Sequence, residues 1–427
     1  MMRCYFIIVL VVGFSSLTAC GGTSQPPVGA PGAMSQSRAL GARGDSSNYK
    51  VVHSFRGSPD GSDPAGSLID VGGALYGTTK GGGKSSCSSY YGCGTVFSIT
   101  PDGTEKVVYR FSSGTDGSHP IAGLIDVSGT LYGTTRFGGT TGCYASGCGT
   151  VFSITPSGKA KVLHRFRSGG DGSFPAASLI EIKGTLYGTT GYGGQYNGSY
   201  YCSYDGCGTV FSISPSGKER VLHSFGNGTD GAIPVASLVE VKGTLYGTTD
   251  GGGTYGGGTV FTITPSGKEK VLHSFGNGTD GLEPDASLID VKGTLYGTTS
   301  AGGAYSCGNS SYSCGTVFSI TPSGKERVIH SFGSVTDGLE PYAPLIDVKG
   351  TLYGTTGYGG AYQCQDGACG TVFSITPSGT EKVLHSFGSG TDGIFPAASL
   401  IDVGGTLYGT TRFGGTSGNG MVFALSP

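Results

Sequence analysis

From residue 48 onward, apolar and polar residues alternate in short stretches, each closed by a turn signal. The stretch 236–275 reads ASLVEVKGTLYGTTDGGGTYGGGTVFTITPSGKEKVLHSF. SLVEV alternates with period two, as a strand with one buried face does. KG follows as a two-residue turn in which Gly takes positive φ. TLYGTT, rich in Thr, Tyr and Leu, predicts a second strand. DGGGTYGG is a glycine loop and GTVFTIT a third strand. PSGK is a turn with Pro early and Gly late, and EKVLHSF is a fourth strand. No window of about ten residues carries a helical period.

The same unit is written seven times. Its central tyrosines are Tyr76, Tyr132, Tyr187, Tyr246, Tyr296, Tyr353 and Tyr408, 50 to 59 residues apart. GTVF starts at Gly94, Gly149, Gly208, Gly258, Gly315 and Gly370, with GMVF at Gly420. A D-G-x-x-P phrase starts at Asp60, Asp116, Asp171, Asp230, Asp280, Asp337 and Asp392. Four antiparallel strands per unit, repeated seven times, predict an all-β fold, a seven-bladed β-propeller. The phrase YKVVHSF near residue 49 reads as a fourth strand lacking its first three. GMVFALSP at the end reads as a third strand lacking its fourth. The amino-terminal strand is therefore expected to close the last blade and remove the exposed strand edge.

Composition adjusts this picture at two points. Gly is 84 of 427 residues, well above the usual level of about 7%, and shows no every-third pattern. Charged residues are 13% and the net charge is −2, so there is no basic field for nucleic acid. The segment MMRCYFIIVLVVGFSSLTAC has an apolar run too short to span a bilayer as a helix, and it reads as a secretory signal. Residues 21–47, rich in Gly, Pro, Ser and Ala, are then expected to be a flexible tether and 48–427 the propeller.

Two resemblances add to this. Leu17-Thr18-Ala19-Cys20 resembles the bacterial lipobox, which implies cleavage before Cys20 and lipid attachment to its sulfur. This resemblance sets the signal peptide at 1–19 and the lipidated Cys20 at the head of the tether, which then runs over 20–47. Gly22, rather than Asp, then favours the outer membrane or cell surface. Buried acyl chains contribute about 0.8 kcal/mol per CH₂. LYGTT, GG, GTVFSITPSGK and VLHSF together resemble the GloVer tandem repeat of bacterial choice-of-anchor proteins across 48–427, a family that implies no established activity. The glycine doublets also resemble those of kelch repeats, although the kelch tryptophans are missing: the chain has no Trp.

Ten further cysteines fall in pairs, Cys87/Cys93, Cys143/Cys148, Cys202/Cys207, Cys307/Cys314 and Cys364/Cys369, each between the second and third strands of one unit. The five loops that carry them have 13 to 17 residues, against 8 in the two without. Pairs that occur together with added length predict local disulfides in an oxidising compartment; two thiols are only half a zinc site. These loops share a face with the D-G-x-x-P loops. They carry Tyr91, Tyr144, Tyr200, Tyr201, Tyr255, Tyr312 and Tyr362 among Gly, Ser and Asn. Such rigid amphipathic rings with adaptable polar neighbours suit a binding surface.

The histidines at one fourth-strand position (His53, His164, His223, His273, His330, His385, with Tyr109 once) are expected to be structural, bonded to the D-G-x-x-P aspartates. The first-strand acids Asp70, Asp126, Glu181, Glu240, Asp290, Asp347 and Asp402 are expected to serve the following turn rather than a cation ring. No catalytic, metal or cofactor motif is visible. Asp205, Asp250, Glu283, Asp285 and Asp366 have no spacing that pairs them. The reading is a monomeric, lipid-anchored module that binds glycan or protein through the tyrosine face. The alternative is a polysaccharide hydrolase or lyase with its site at the propeller centre.

Overall fold

The computed structural model describes residues 48–427 apart from 85, 86, 88–91, 113, 140, 141, 144, 145, 197–201, 203–205, 215, 306–313, 334, 335, 363 and 365–368. Each repeat becomes a four-stranded antiparallel sheet. Blade 1 comprises Ile69–Val71, Ala74–Thr79, Thr95–Ile99 and Glu105–Arg110, paired in that order. Blades 2 to 7 begin at Ile125, Ile180, Val239, Ile289, Ile346 and Ile401. The strand Tyr49–Ser54 pairs antiparallel with Met421–Leu425 and completes blade 7. The expected seven-bladed propeller closed by its amino-terminal strand is what the chain forms.

The first hairpin of each blade is tighter than the KG signal alone requires. Lys183, Lys242, Lys292 and Lys349 take positive φ along with the glycines that follow them. Positive φ at both central residues marks a type I′ turn, whose twist matches the strands it joins. The first-strand acid sits beneath it: Asp70, Asp290, Asp347 and Asp402 accept the N–H of Gly73, Gly293, Gly350 and Gly405 at 2.8–3.0 Å, and Glu181 and Glu240 do the same for Gly184 and Gly243. These carboxylates therefore serve the turn, as expected. A bulge that the alternation did not reveal interrupts the third–fourth strand pairing of each blade, for example between Val210 and Phe211. It leaves Leu222 of VLHS outside the ladder.

The core lies between blades, in seven equivalent clusters. Between blades 3 and 4, Tyr187, Cys202, Cys207, Val210 and Phe225 meet Leu238, Leu245, Phe261 and Ile263. The Phe that ends each fourth strand packs edge-on to the third-strand Phe of the next blade, as Phe225 does on Phe261 with centroids 4.9 Å apart. The glycine of LYGTT makes room for this packing. A Cβ on Gly247 would lie 2.5 Å from Cζ of Phe261 and 2.8 Å from Cδ2 of Leu238. The LYGTT tyrosine is buried in five blades and half-buried at Tyr132 and Tyr353, so its role is packing.

Candidate functional site at the mouth of the loop face

Disulfides join Cys87 to Cys93, Cys143 to Cys148, Cys202 to Cys207 and Cys364 to Cys369, with Cα atoms 4.9–5.6 Å apart. Cys314 is disulfide-bonded, and its expected partner Cys307 lies outside the described residues. These bridges do more than staple surface loops. Cys93, Cys148, Cys207 and Cys369 are fully buried, and three of the bridges sit inside the interblade clusters.

Of the tyrosines expected to bind, Tyr91, Tyr144, Tyr200, Tyr201 and Tyr312 lie outside the described residues, as does Cys20. Tyr255 and Tyr362 are exposed, at 55% and 44%. Tyr196 and Tyr305 are exposed too, and all four stand on one template position. Their Cβ atoms lie over Gly276, Gly388, Gly226 and Gly333, the residue after the fourth-strand Phe. Where that residue is Arg56, Ser112 or Arg167, no such tyrosine is described. Four adjacent blades, 3 to 6, thus present a row of rings.

The histidines serve the blade junctions. Nε2 of His223, His273 and His385 lies 2.9–3.0 Å from the carboxylates of Asp230, Asp280 and Asp392, and His164 reaches Asp171 at 3.2 Å. His53–Asp60 and His330–Asp337 are longer, at 3.5 and 3.7 Å. Tyr109 donates to Asp116 at 3.0 Å in the same place. A third member comes from the next blade. Glu105 and Glu219 bring a carboxylate oxygen within 4.8 Å of His53/Asp60 and His164/Asp171. Burial, and then the nearby Asp171, raises the Glu219 carboxyl to about 7. Glu269 and Glu326 also rise to about 7, by burial first, then with Asp230 and Asp280 adding to it. Internal substitutions follow this contact. Ala160 takes the Glu position opposite Tyr109, and Tyr49 takes it opposite His385, stacking on that ring at 3.9 Å and donating to Asp392.

The chemistry that varies lies elsewhere. First strands of neighbouring blades approach one another, so they are innermost, and the D-G-x-x-P loops deliver the chain onto them. The residue before each Pro is Asp63, His119, Phe174, Ile233, Glu283, Glu340 or Phe395, each left-handed with φ of 55–60°. Its N–H binds a carbonyl of the preceding blade, as Ile233 does with Cys207 O. Its own carbonyl accepts from the residue after LYGTT: Lys80, Arg136, Gly191, Asp250, Ser300, Gly357 or Arg412. These two columns form a rim in which every blade contributes different side chains.

One sector of the rim is basic. Arg412 of blade 7 grips Asp63 of blade 1 through Nε at 2.6 Å and a terminal nitrogen at 2.9 Å, and Lys80 approaches the same carboxylate at 3.4 Å. The hydrogen bond and charge of Arg412, with Lys80, outweigh the burial that opposes them and hold Asp63 below the usual carboxylate range. Burial, then Lys80 and Arg136, depress His119 to about 4, so its ring is neutral at pH 7.

The other sector is acidic. Asp250 and Asp285 adjoin one another, and burial raises the carboxyl of each. Asp285 is raised well above the ordinary range by burial first and then by Asp250, and Ser300 Oγ donates to it at 3.1 Å. Glu283 is raised by burial, then by Asp250 and Glu340. Tyr342 donates to Glu340. Phe395 packs near Tyr342 and Tyr358 and beneath the Arg412 guanidinium, and so links the sectors. Perturbed carboxyls gathered from several blades make this rim a candidate functional site. The blades bring together Asp250, Glu283 and Asp285, which the sequence spacing left unconnected, and Asp205 and Asp366 lie outside the described residues.

Three comparisons bear on this architecture. The chain matches the model of the Gloeobacter/Verrucomicrobia repeat over residues 40–202, 85–310 and 306–427. No curated protein matches it in sequence. Among solved structures it is similar to a chain of an S. cerevisiae Dbp5 assembly with Nup159, Gle1, IP6 and ADP (10% identity, TM-score 0.45, covering 89% of this chain and 95% of that one). It is also similar to a Mycobacterium tuberculosis puromycin-hydrolyzing peptidase (11%, 0.46, 86% and 55%) and to a luciferin-regenerating enzyme (14%, 0.38, 70% and 88%). None of these carries an activity over to this chain.

Proposed function

The chain belongs to the Gloeobacter/Verrucomicrobia repeat family, and from that premise we propose that it is a lipid-anchored extracytoplasmic binding module that seats a glycan on its loop face. The observation that supports this most directly is the rim. The residue before each Pro and the residue after each LYGTT change chemistry from blade to blade, while the Asp-Gly, Pro and LYGTT that frame them recur in every unit. A scaffold position is repeated because folding needs it; a position that differs across blades on one rim is available for a ligand. The exposed Tyr255, Tyr305 and Tyr362 border the same face and offer flat rings to a sugar. Cys20 would tether the propeller to the outer membrane, and Cys20→Ser should release it into the soluble fraction.

The test is a glycan and cell-wall array probed with the full chain, followed by calorimetry with the best binder. Binding that Asp285→Asn and Tyr255→Ala weaken at unchanged fold supports the reading. Absence of any glycan or cell-wall ligand overturns it. The adjoining carboxyls of Asp250 and Asp285, both raised by burial, favour one second reading, a polysaccharide-cleaving enzyme, in which a carboxyl raised in this way would serve as a general acid. New reducing ends or unsaturated products from bound polysaccharide would reveal it.

A further inference from the structure

Arg136 is the least compensated charge on the rim. Its Nε is shut off from solvent and has no hydrogen-bond partner. No carboxylate lies within ion-pair distance of it among the described residues, since Asp63 is engaged by Arg412 and Lys80. Its electrostatic neighbours are the Tyr192 hydroxyl and a second cation, Arg412, and its guanidinium lies 5.6 Å from the centre of the Phe137 ring. Lys80, Arg136 and Arg412 against Asp63 leave the sector with an excess of two positive charges (three minus one). A guanidinium nitrogen withdrawn from water without a partner is destabilising, so such groups are ordinarily paired. The fold does not require an arginine here. The equivalent residues of blades 3 to 6 are Gly191, Asp250, Ser300 and Gly357, and these blades keep the same strands and bridges.

We propose that Arg136, flanked by Arg412 and Lys80, is an anion subsite that takes the carboxylate of an acidic sugar residue. This rests on the glycan-binding reading above and names its ligand class. The planar fork of a guanidinium matches a carboxylate with two parallel N–H···O bonds. Phe137 and Phe174, packed edge-on at 5.5 Å, and Tyr192 beside Phe174 give the sugar ring an aromatic flank. The ligand class is thus a glycan that carries carboxylate groups.

The experiment is titration calorimetry of the full chain with oligogalacturonate, with a neutral cello-oligosaccharide and with acetate, for the wild type and for Arg136→Gln and Arg136→Lys. The expected result is binding of oligogalacturonate that weakens with added salt and falls about 10- to 100-fold in Arg136→Gln, the range of a charge-assisted hydrogen bond. Arg136→Lys should recover only part of it, because a point charge replaces the fork. Melting of Arg136→Gln should be unchanged or raised, since an unpaired cation has been removed. A lowered melting temperature with unaltered binding makes Arg136 structural and overturns the inference. Binding of the neutral oligosaccharide alone overturns the inference and leaves the glycan reading intact. Arg136-dependent binding of acetate without any oligosaccharide keeps the anion subsite and defeats the glycan reading.

Discussion

The junction glutamates make stability fall as pH rises through neutrality. Glu219, Glu269 and Glu326 shift from an ordinary value of 4.5 to about 7, chiefly because burial disfavours their charged form. One oxygen of each is enclosed with no hydrogen-bond partner, which a neutral carboxyl tolerates better than a carboxylate. A carboxyl whose folded pKa lies above its unfolded value holds its proton more tightly when folded. Its stabilisation is complete below pH 4.5, declines as pH rises, and is gone above about 7. A full shift of this size in a buried group would be worth roughly 3 kcal/mol. These side chains are half-buried and solvent-screened, so about 1 kcal/mol each is the reasonable figure, or about 3 kcal/mol for the three. At about 2 cal/mol/K per residue of unfolding entropy, that is about 4 °C in melting temperature for a propeller of this length.

The assay compares the wild type with the triple variant Glu219→Gln, Glu269→Gln, Glu326→Gln by thermal melting at about pH 5 and about pH 8, at matched ionic strength. Gln keeps the shape of the neutral carboxyl and cannot lose a proton. All other titrating groups occur in both proteins, so their contribution cancels in the difference. The wild type should lose about 4 °C more than the variant between the two pH values. Equal losses would refute the argument, because the glutamates would then titrate alike in folded and unfolded chains.

Three further outcomes are expected. Gly247→Ala places a Cβ 2.5 Å from Phe261 and should cost about 1–3 kcal/mol in urea denaturation, as overpacked cores do. Reduction of the disulfides should lower the melting temperature measurably, because the sulfurs lie inside the interblade core, while far-ultraviolet dichroism at room temperature keeps its β signature. Each of the four described bridges spans only 5 or 6 residues, so each contributes less than the roughly 3 kcal/mol of a 15-residue loop. Tyr255→Ala or Tyr362→Ala should change stability by no more than about 0.5 kcal/mol and weaken glycan binding by about 1 kcal/mol or more, whereas Tyr246→Ala should cost about 3–5 kcal/mol of stability in calorimetric melting.

The architecture was legible because each blade repeats the same local instructions. Period-two alternation, turn residues and the split fourth strand fix the strand count and the closure without any long-range information. The His–Asp pairing was legible too, since the two stay seven residues apart in each unit. The bulge behind His223 was not, because VLHS alternates no differently with an extra residue in it. The burial of the cysteines was also hidden: loop length says that a bridge exists, and only the neighbouring blade says what it packs against. The mouth was the least legible part. Asp250, Glu283, Asp285 and Glu340 come from three blades, and radial closure, not spacing, brings them together. A signal was nevertheless present. When the seven units are laid over one another, the residues before Pro and after LYGTT are among the columns whose chemistry changes.

The left-handed backbone at the first of those columns sharpens the case that it serves something other than folding. Glycine adopts positive φ without steric penalty, and this chain uses it freely for that purpose, as at Gly94, Gly149 and Gly208 just before each third strand. At the first position of the type I′ turns, Gly72 and Gly404 alternate with Lys and Ser, so a repeat position that tolerates glycine does show it. In the column before Pro no blade has glycine, and Ile233 and the bulky Phe174 and Phe395 are among the types that fit a left-handed slot worst. Each such residue carries strain on the order of 1–3 kcal/mol. Hydrogen bonds from two blades hold the slot in place whatever occupies it, so they make the strain tolerable without requiring it. Folding alone would favour glycine at all seven positions. The side chains stand there against that preference, acidic, aromatic, aliphatic or imidazole by turns, which agrees with a role for this column beyond folding.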